Sequence, residues 1–220
     1  MITLYNSKIS SNTRRVWVAL LEKNLEFEEV FIQLNQGEQF KPEFLEINPF
    51  HHIPVLIDDG FKVFESLAIL DYLEAKYPDP QLMPTDAESI AKIRTIELVT
   101  LNELIPPTFP LMRKTLEFDV PPEQLEKAQK QVSTVLQFFE DQLDENQPYF
   151  IGDRLTLADI VAGTTVPTLH FFGISLEEYP KVTQWCETLQ QRESWQKTTP
   201  SPEAIEAAKA GIKKILQQRG

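Results

Sequence analysis

Residues 1–77 alternate short apolar runs with amphipathic stretches. Ile2-Thr3-Leu4-Tyr5 reads as a buried strand. Thr13 to Leu25 predicts a helix, with Val16, Ala19, Leu20 and Lys23 spaced for one face. Phe27 to Leu34 alternates apolar and polar residues, as a second strand should. Lys41 to Ile47 predicts a short helix. Val55-Leu56-Ile57 and Phe61-Lys62-Val63-Phe64 flank Asp58-Asp59-Gly60, and an Asp-Gly pair between apolar runs signals a hairpin. Ser66 then opens a helix that runs through Leu67, Leu70, Tyr72 and Leu73 to Lys76. The order β-α-β-α-β-β-α predicts a small α/β sandwich over residues 1–78.

Pro78-Asp79-Pro80 stops that helix and opens a linker over residues 79–86. From residue 87 to 220 the pattern is helical throughout, predicting an all-α second domain. Ile90, Ile93, Glu97, Leu98, Leu101 and Leu104 form one stripe, which Pro106-Pro107 should break or kink. Leu125, Ala128, Val132, Val135, Phe139 and Leu143 form another. Val182, Trp185, Cys186 and Leu189 form a third, with Pro180 near its first turn. Ile205, Ala208, Ile212 and Ile215 form a fourth. Core packing accounts for all four.

Composition narrows the chemistry. The 220 residues are 42% hydrophobic and 25% charged, ordinary for a globular chain. A chain of that length buries enough surface to fold without disulfides or structural metals. The single cysteine, Cys186, forbids an intrachain disulfide and points to a reducing, cytoplasmic setting. Three histidines and one cysteine make no zinc site without carboxylates, so no metal is expected. The longest apolar run, Val16 to Leu21, is far short of a membrane span. Polar Asn6, Ser7, Ser10 and Ser11 interrupt any signal-peptide pattern. A net charge of -12 argues against nucleic acid or an anionic membrane as partner. An anionic ligand would therefore need a locally basic site.

Four segments carry a family resemblance when taken in order: Ser10-Ser11-Asn12-Thr13-Arg14-Arg15-Val16, Asn48-Pro49-Phe50-His51-His52-Ile53-Pro54-Val55-Leu56, Glu65 to Leu73, and Gly152 to Ile160. Together they resemble the cytosolic glutathione transferases of serine type, in the theta, phi, zeta-like or cyanobacterial-type classes. The resemblance covers nearly the whole chain. It implies a thioredoxin-like N-terminal domain, an all-α helical C-terminal domain, and a homodimer. It also implies that the Ile53–Pro54 bond is cis and that the Ile53 backbone pairs with the cysteinyl part of glutathione like an added strand. Ser66 is a good N-cap whose amide can bind an anion. The resemblance assigns the γ-glutamyl carboxylate to Ser66, with Glu65 facing the ligand's ammonium. Thr156-Leu157-Ala158-Asp159 is a capping box, for which folding is the expected role.

The implied reaction needs a thiolate. A free thiol has a pKa near 8.5, so only a few per cent is ionised at neutral pH. A hydroxyl donor beside the sulfur, at a helix N-terminus, stabilises the anion. Ser10 fits the serine-type position, six residues before Val16, with Arg14 and Arg15 between. Ser11 and Tyr5 remain alternatives, and Arg14 is a candidate electrostatic helper. No cysteine occurs there, which disfavours protein-thiol exchange. His52 and Lys41, with His51, are candidates for the glycine carboxylate of glutathione. Histidine is mostly uncharged above about pH 6.5, which weakens that contact near neutrality. Phe109, Met112 and Arg113 are candidates for lining an electrophile pocket that the resemblance puts between the Ser10 loop and the kinked helix. Phe50 is a candidate dimer-interface aromatic.

Three functions follow. The first is a glutathione transferase acting on small hydrophobic electrophiles in a detoxifying role, with peroxide reduction as a further activity. The second is a zeta-like isomerase for maleyl-type substrates; that class begins this helix Ser-Ser-Cys, and here Asn12 stands in the cysteine's place. The third is a non-catalytic transferase-like binding domain, against which the retained Ser10, Glu65 and Ser66 argue.

Overall fold

In the computed structural model, which describes residues 1–219 and side chains to residue 213, the N-terminal strands pair in the order β2-β1-β3-β4. β1 is Ile2–Asn6 and β2 is Phe27–Phe31, parallel to it from Ile2 opposite Phe27 to Asn6 opposite Phe31. β3, Val55–Asp58, runs antiparallel to β1, and β4, Phe61–Phe64, pairs back on β3. Asp59 and Gly60 between them both take positive φ, the backbone an Asp-Gly hairpin turn requires. Leu4, Val55 and Leu56 on the central strands are wholly buried. β2 is shorter than the predicted Phe27 to Leu34 because β1 ends at Asn6, whose carbonyl accepts from Ile32 N at 2.8 Å. The chain leaves it through 3-10 turns at Leu34–Gln36 and Glu38–Phe40.

α1 (Ser11–Glu22), α2 (Pro42–Leu45) and α3 (Ser66–Lys76) complete this α/β layer. α1 starts before Thr13 because Ser10 caps it, and stops at Glu22 because Asn24 turns left-handed at φ 53. Lys23 belongs to its apolar face: the side chain is fully buried, and Nζ reaches the carbonyls of Tyr77 (2.7 Å) and Pro80 (2.9 Å) and Glu74 Oε2 (2.6 Å). An ammonium has three N–H donors, and all three find acceptors at the end of α3. Asp58, also buried, accepts from Lys76 Nζ (2.7 Å), Tyr77 Oη (2.7 Å) and Tyr72 Oη (3.0 Å), clasping the hairpin to α3.

The later helices are α4 (Ala87–Val99), α5 (Ile105–Thr115), α6 (Pro122–Gln142), α7 (Leu157–Gly163) and α8 (Pro180–Gln190), with a 3-10 stretch at Val166–Phe172. The proline pair does not break the path after α4. A π-helical turn at Thr100–Leu104 carries it, with Ile105 N bonded to Thr100 O. That wider turn puts Pro106 and Pro107 in the first turn of α5, where a missing N–H is tolerated. Two predicted stripes are buried, Val132, Val135 and Phe139 on α6 and Val182, Trp185, Cys186 and Leu189 on α8; in the first predicted stripe, Ile93, Glu97 and Leu104 are buried but Leu98 is exposed. Glu140 of α6 caps α8, its carboxylate accepting from Lys181 N (3.1 Å) and Val182 N (3.0 Å).

The capping box is present at α7, and Asp159 reaches beyond it. Oδ2 accepts from Thr156 N and Thr156 Oγ1 (both 2.8 Å), and Oδ1 from Phe150 N and Trp185 Nε1 (both 3.0 Å). One buried carboxylate thus ties the loop before α7 to α8. This is the folding role expected of the box.

The chain forms two compact units, Gln81–Glu193 and Met1–Pro80 joined by the residues from Ser194 onward. α9 (Glu193–Thr198) and α10 (Pro202–Arg219) close the sequence. Most of α9 and all of α10 therefore group with the α/β unit, although the sequence pattern reads as one all-helical run over 87–220. Ser194 Oγ donates to Glu22 of α1, and Gly211 of α10 lies against Asn35. Ile205, Ala208 and Ile212 are half-buried, and the side chain of Ile215 lies outside the described residues.

Candidate functional site

The start of α1 is built by Ser10. Its backbone is extended (φ -88, ψ 116), and its Oγ accepts from Thr13 N at 3.3 Å. Its own N–H bonds to Ser7 O at 3.0 Å. The hydroxyl hydrogen is not used by the cap, because a cap needs only the oxygen's lone pair. A hydroxyl donor therefore stands at a helix N-terminus, where the macrodipole favours an anion. Ser11 follows as the first helical residue, half-buried. Tyr5 is packed elsewhere: its ring meets Phe44 edge-on at 6.3 Å, beside the core of Phe44, Ile53 and Val55.

Arg14 lies in the next turn and is buried. Nη2 donates to Thr199 Oγ1 at 2.8 Å and Nε to Thr198 Oγ1 at 3.3 Å. Burial lowers its pKa to about 10, which leaves it cationic at neutral pH. Its side chain clasps the end of α9, a partnership the sequence pattern did not suggest. Arg15 is wholly buried on another face of α1, and its Nη1 donates to Ser66 Oγ at 3.2 Å.

At the start of α3 the cap residue Glu65 has φ 69 and ψ 116. A non-glycine residue pays for positive φ in steric strain, and such strain clusters where a backbone must present itself to a ligand. Glu65 is exposed while Ser66 is buried. The first-turn amides of α3 have no side-chain cap, which leaves N–H donors of the kind that favour an anion at helix starts.

The loop from 48 to 54 brings up the remaining candidates. The Ile53–Pro54 bond is cis, as the resemblance implies. Asn48, fully buried, holds the loop: Nδ2 donates to His52 O (2.9 Å) and Oδ1 accepts from Phe50 N (3.0 Å). His51 and His52 are exposed, their rings edge-to-face at 5.2 Å. Lys41 is exposed and paired with Glu38 at 3.0 Å. In the other unit, Phe109 is exposed on α5, and Met112 and Arg113 are half-buried, with the Arg113 guanidinium 4.9 Å over the Phe118 ring. Burial pushes the Cys186 thiol up to about 12, so it stays protonated and inert at neutral pH.

Comparison with known proteins decides the family. Residues 4–81 match the model described as "Glutathione S-transferase, N-terminal domain", and residues 104–193 match "Glutathione S-transferase, C-terminal domain". Glutathione S-transferase D7 of Drosophila melanogaster is 34% identical over 98% of this chain and 93% of its own length. The chain belongs to the glutathione S-transferase family.

Maleylacetoacetate isomerase of Rattus norvegicus is 33% identical, covering 90% of this chain and 91% of that protein. The crystal structure of poplar glutathione transferase F1 is 30% identical with a TM-score of 0.78, covering 90% of this chain and 95% of the other. Both halves of the fold, the four-stranded mixed sheet and the helical segment, are those of glutathione S-transferases. Among the described residues no helix is long and apolar enough to cross a membrane.

Three residues that sequence reasoning did not single out hold candidate residues of this glutathione S-transferase in place: Asn48 binds the His52 carbonyl, and Thr198 and Thr199 accept from Arg14. Asn48 had a signal, since Asn-Pro favours a side-chain-stabilised turn. The threonines had none, because their partner lies 184 and 185 positions away.

Proposed function

We propose that the protein ionises the thiol of glutathione through Ser10 and transfers the thiolate to small hydrophobic electrophiles. The observation that carries this is the Ser10 hydroxyl, whose oxygen accepts from Thr13 N and whose hydrogen is left to donate at the start of α1. In the reaction the thiol proton leaves to solvent, and the Ser10 hydroxyl donates to the sulfur anion. The sulfur lone pair forms the new C–S bond, and the electrophile's leaving group departs with its electron pair. Depressing a thiol pKa by two units takes about 2.7 kcal/mol, and one hydrogen bond to a charged group supplies about 1.5–3 kcal/mol. One serine is therefore sufficient in magnitude.

The remaining binding roles follow the same reading. Ser66 and Glu65 hold the γ-glutamyl end, the Ile53–Pro54 backbone the cysteinyl part, and His52 with Lys41 the glycine carboxylate. Ser11 adds its first-turn amide, and Arg14 a fixed positive charge. Phe109 and Met112 offer the electrophile apolar contact, and Arg113 a cation. Locally placed donors of this kind let a chain of net charge -12 bind an anion. The homodimer is proposed with Phe50, 56% exposed, at its interface; sedimentation of wild type against Phe50→Ala tests that.

The similarity to maleylacetoacetate isomerase favours a second reading, a glutathione-dependent isomerase of maleyl-type substrates. The deciding experiment is a glutathione-dependent screen over halide, isothiocyanate, peroxide and maleyl substrates. Conjugation that Ser10→Ala abolishes supports the transferase. Turnover of the maleyl substrate alone supports the isomerase. Failure to bind immobilised glutathione defeats both.

A further inference from the structure

Arg15 neighbours the arginine tied to Thr198 and Thr199, but its contact lies elsewhere. Its guanidinium is wholly buried, and Nη1 donates to Ser66 Oγ at 3.2 Å across from α1 to the start of α3. A hydroxyl oxygen has one hydrogen and two lone pairs. With a guanidinium N–H on one lone pair, the Ser66 hydrogen cannot point at Arg15 and is directed to an acceptor elsewhere. The same buried cation stands behind the first turn of α3, whose amides already favour negative charge. Low dielectric around a buried charge strengthens its effect on an anion nearby.

We propose that Arg15 is a positioning residue for the carboxylate site at Glu65–Ser66: it orients the Ser66 hydroxyl as a donor and adds positive potential, so that the site selects the γ-glutamyl α-carboxylate of glutathione. This rests on the reading above that the α3 start holds that carboxylate. Arg15 acts through Ser66 and touches no ligand atom itself. Its placement differs from that of Arg14, whose partners are both on or just after α9.

The test compares, by calorimetry, the affinity for glutathione with that for γ-aminobutyryl-cysteinyl-glycine, which lacks only that carboxylate. The proteins are wild type, Ser66→Ala, Arg15→Lys, Arg15→Gln and Arg15→Met. Wild type should prefer glutathione by roughly tenfold or more, the scale of one charge-assisted hydrogen bond. Arg15→Gln and Arg15→Met should shrink that preference severalfold while leaving affinity for the analogue in place, and Arg15→Lys should restore part of it. A brace between α1 and α3 with no effect on selectivity would lower both affinities together, or lower only the melting temperature, and that result overturns the proposal. Should Arg15→Met fail to fold, Gln and Lys, which keep a polar group at the position, carry the comparison. If Ser66→Ala abolishes the preference and the Arg15 variants keep it, the Arg15 proposal alone falls. If Ser66→Ala also keeps it, the carboxylate reading itself falls.

Discussion

Replacing Ser10 with glycine separates the two jobs of its hydroxyl. As a cap, the oxygen accepts from Thr13 N at 3.3 Å, a long bond. Glycine is itself a tolerable N-cap, so Ser10→Gly should lose only a few tenths of a kcal/mol of stability, whereas Ser10→Ala should lose about 0.5–2 kcal/mol. As a donor to the sulfur anion, the hydroxyl contributes about 1.5–3 kcal/mol. At 1.36 kcal/mol per pKa unit, removing it raises the bound thiol by about 1–2 units. The rate at neutral pH should then fall by roughly tenfold to a hundredfold, since only the thiolate attacks. The loss should shrink as pH rises, because the thiol ionises unaided once pH passes about 8.5. The assay is kcat/KM for chlorodinitrobenzene conjugation across pH, beside a thermal melt of each variant. Ser10→Thr should retain most of the rate. A Ser10→Gly protein with wild-type rate at neutral pH and an unshifted ionisation limb would refute the assignment. Ser11→Ala and Tyr5→Phe would then identify the hydroxyl responsible.

Three further outcomes follow from the packing. Burial pushes the Asp58 carboxyl up, but the hydrogen bonds from Lys76, Tyr77 and Tyr72 outweigh it and hold the pKa below the usual aspartate value. Its stabilising contribution is therefore complete above the unfolded pKa of about 3.9 and lost as pH falls through the folded value; urea midpoints of Asp58→Asn and wild type should differ at neutral pH and converge in acid. Asp159→Asn puts an amide donor where a carboxylate oxygen accepted from two donors, and should lower unfolding free energy by about 1–3 kcal/mol with little change in the far-ultraviolet spectrum. Cys186 should resist thiol reagents in the native protein and react in denaturant, and Cys186→Ala should conjugate at the wild-type rate; rapid native labelling would contradict the burial.

Much of the α/β unit was legible because its signals are local. Ser66 to Lys76 forms the helix its apolar spacing predicts, and Asp59-Gly60 makes the expected turn; Ser66, expected as the cap, is instead the first helical residue, because Glu65 takes the cap position and makes no side-chain cap bond. Lys23 was assigned to the apolar face of α1 by spacing alone, but only the fold reveals Glu74, Tyr77 and Pro80 as its acceptors. Pro106-Pro107 signalled an interruption, but periodicity carries no hint of its form, a π turn at Thr100–Leu104 that puts both prolines in a helix's first turn. The positive φ of Glu65 was hidden because no glycine marks the position. At the site, Ser10 was legible only through the family resemblance; its cap on Thr13 N emerges with the fold, since the apolar pattern starts the helix at Thr13. The hydroxyls on which Arg14 rests were not legible, since nothing local relates residue 14 to residues 198 and 199.

That last separation bears on how the protein is made. A ribosome delivers the chain from its N-terminus at roughly 5–20 residues per second. The strand and helix that carry Ser10 emerge first, yet the acceptors for Arg14 arrive only with Thr198 and Thr199, and Ser194 reaches Glu22 equally late. Until then the buried arginine beside the Ser10 turn lacks those two hydroxyls. Nascent chains stalled before residue 194 should therefore hold α1 less firmly than the finished protein, however well the hairpin and α3 have already folded.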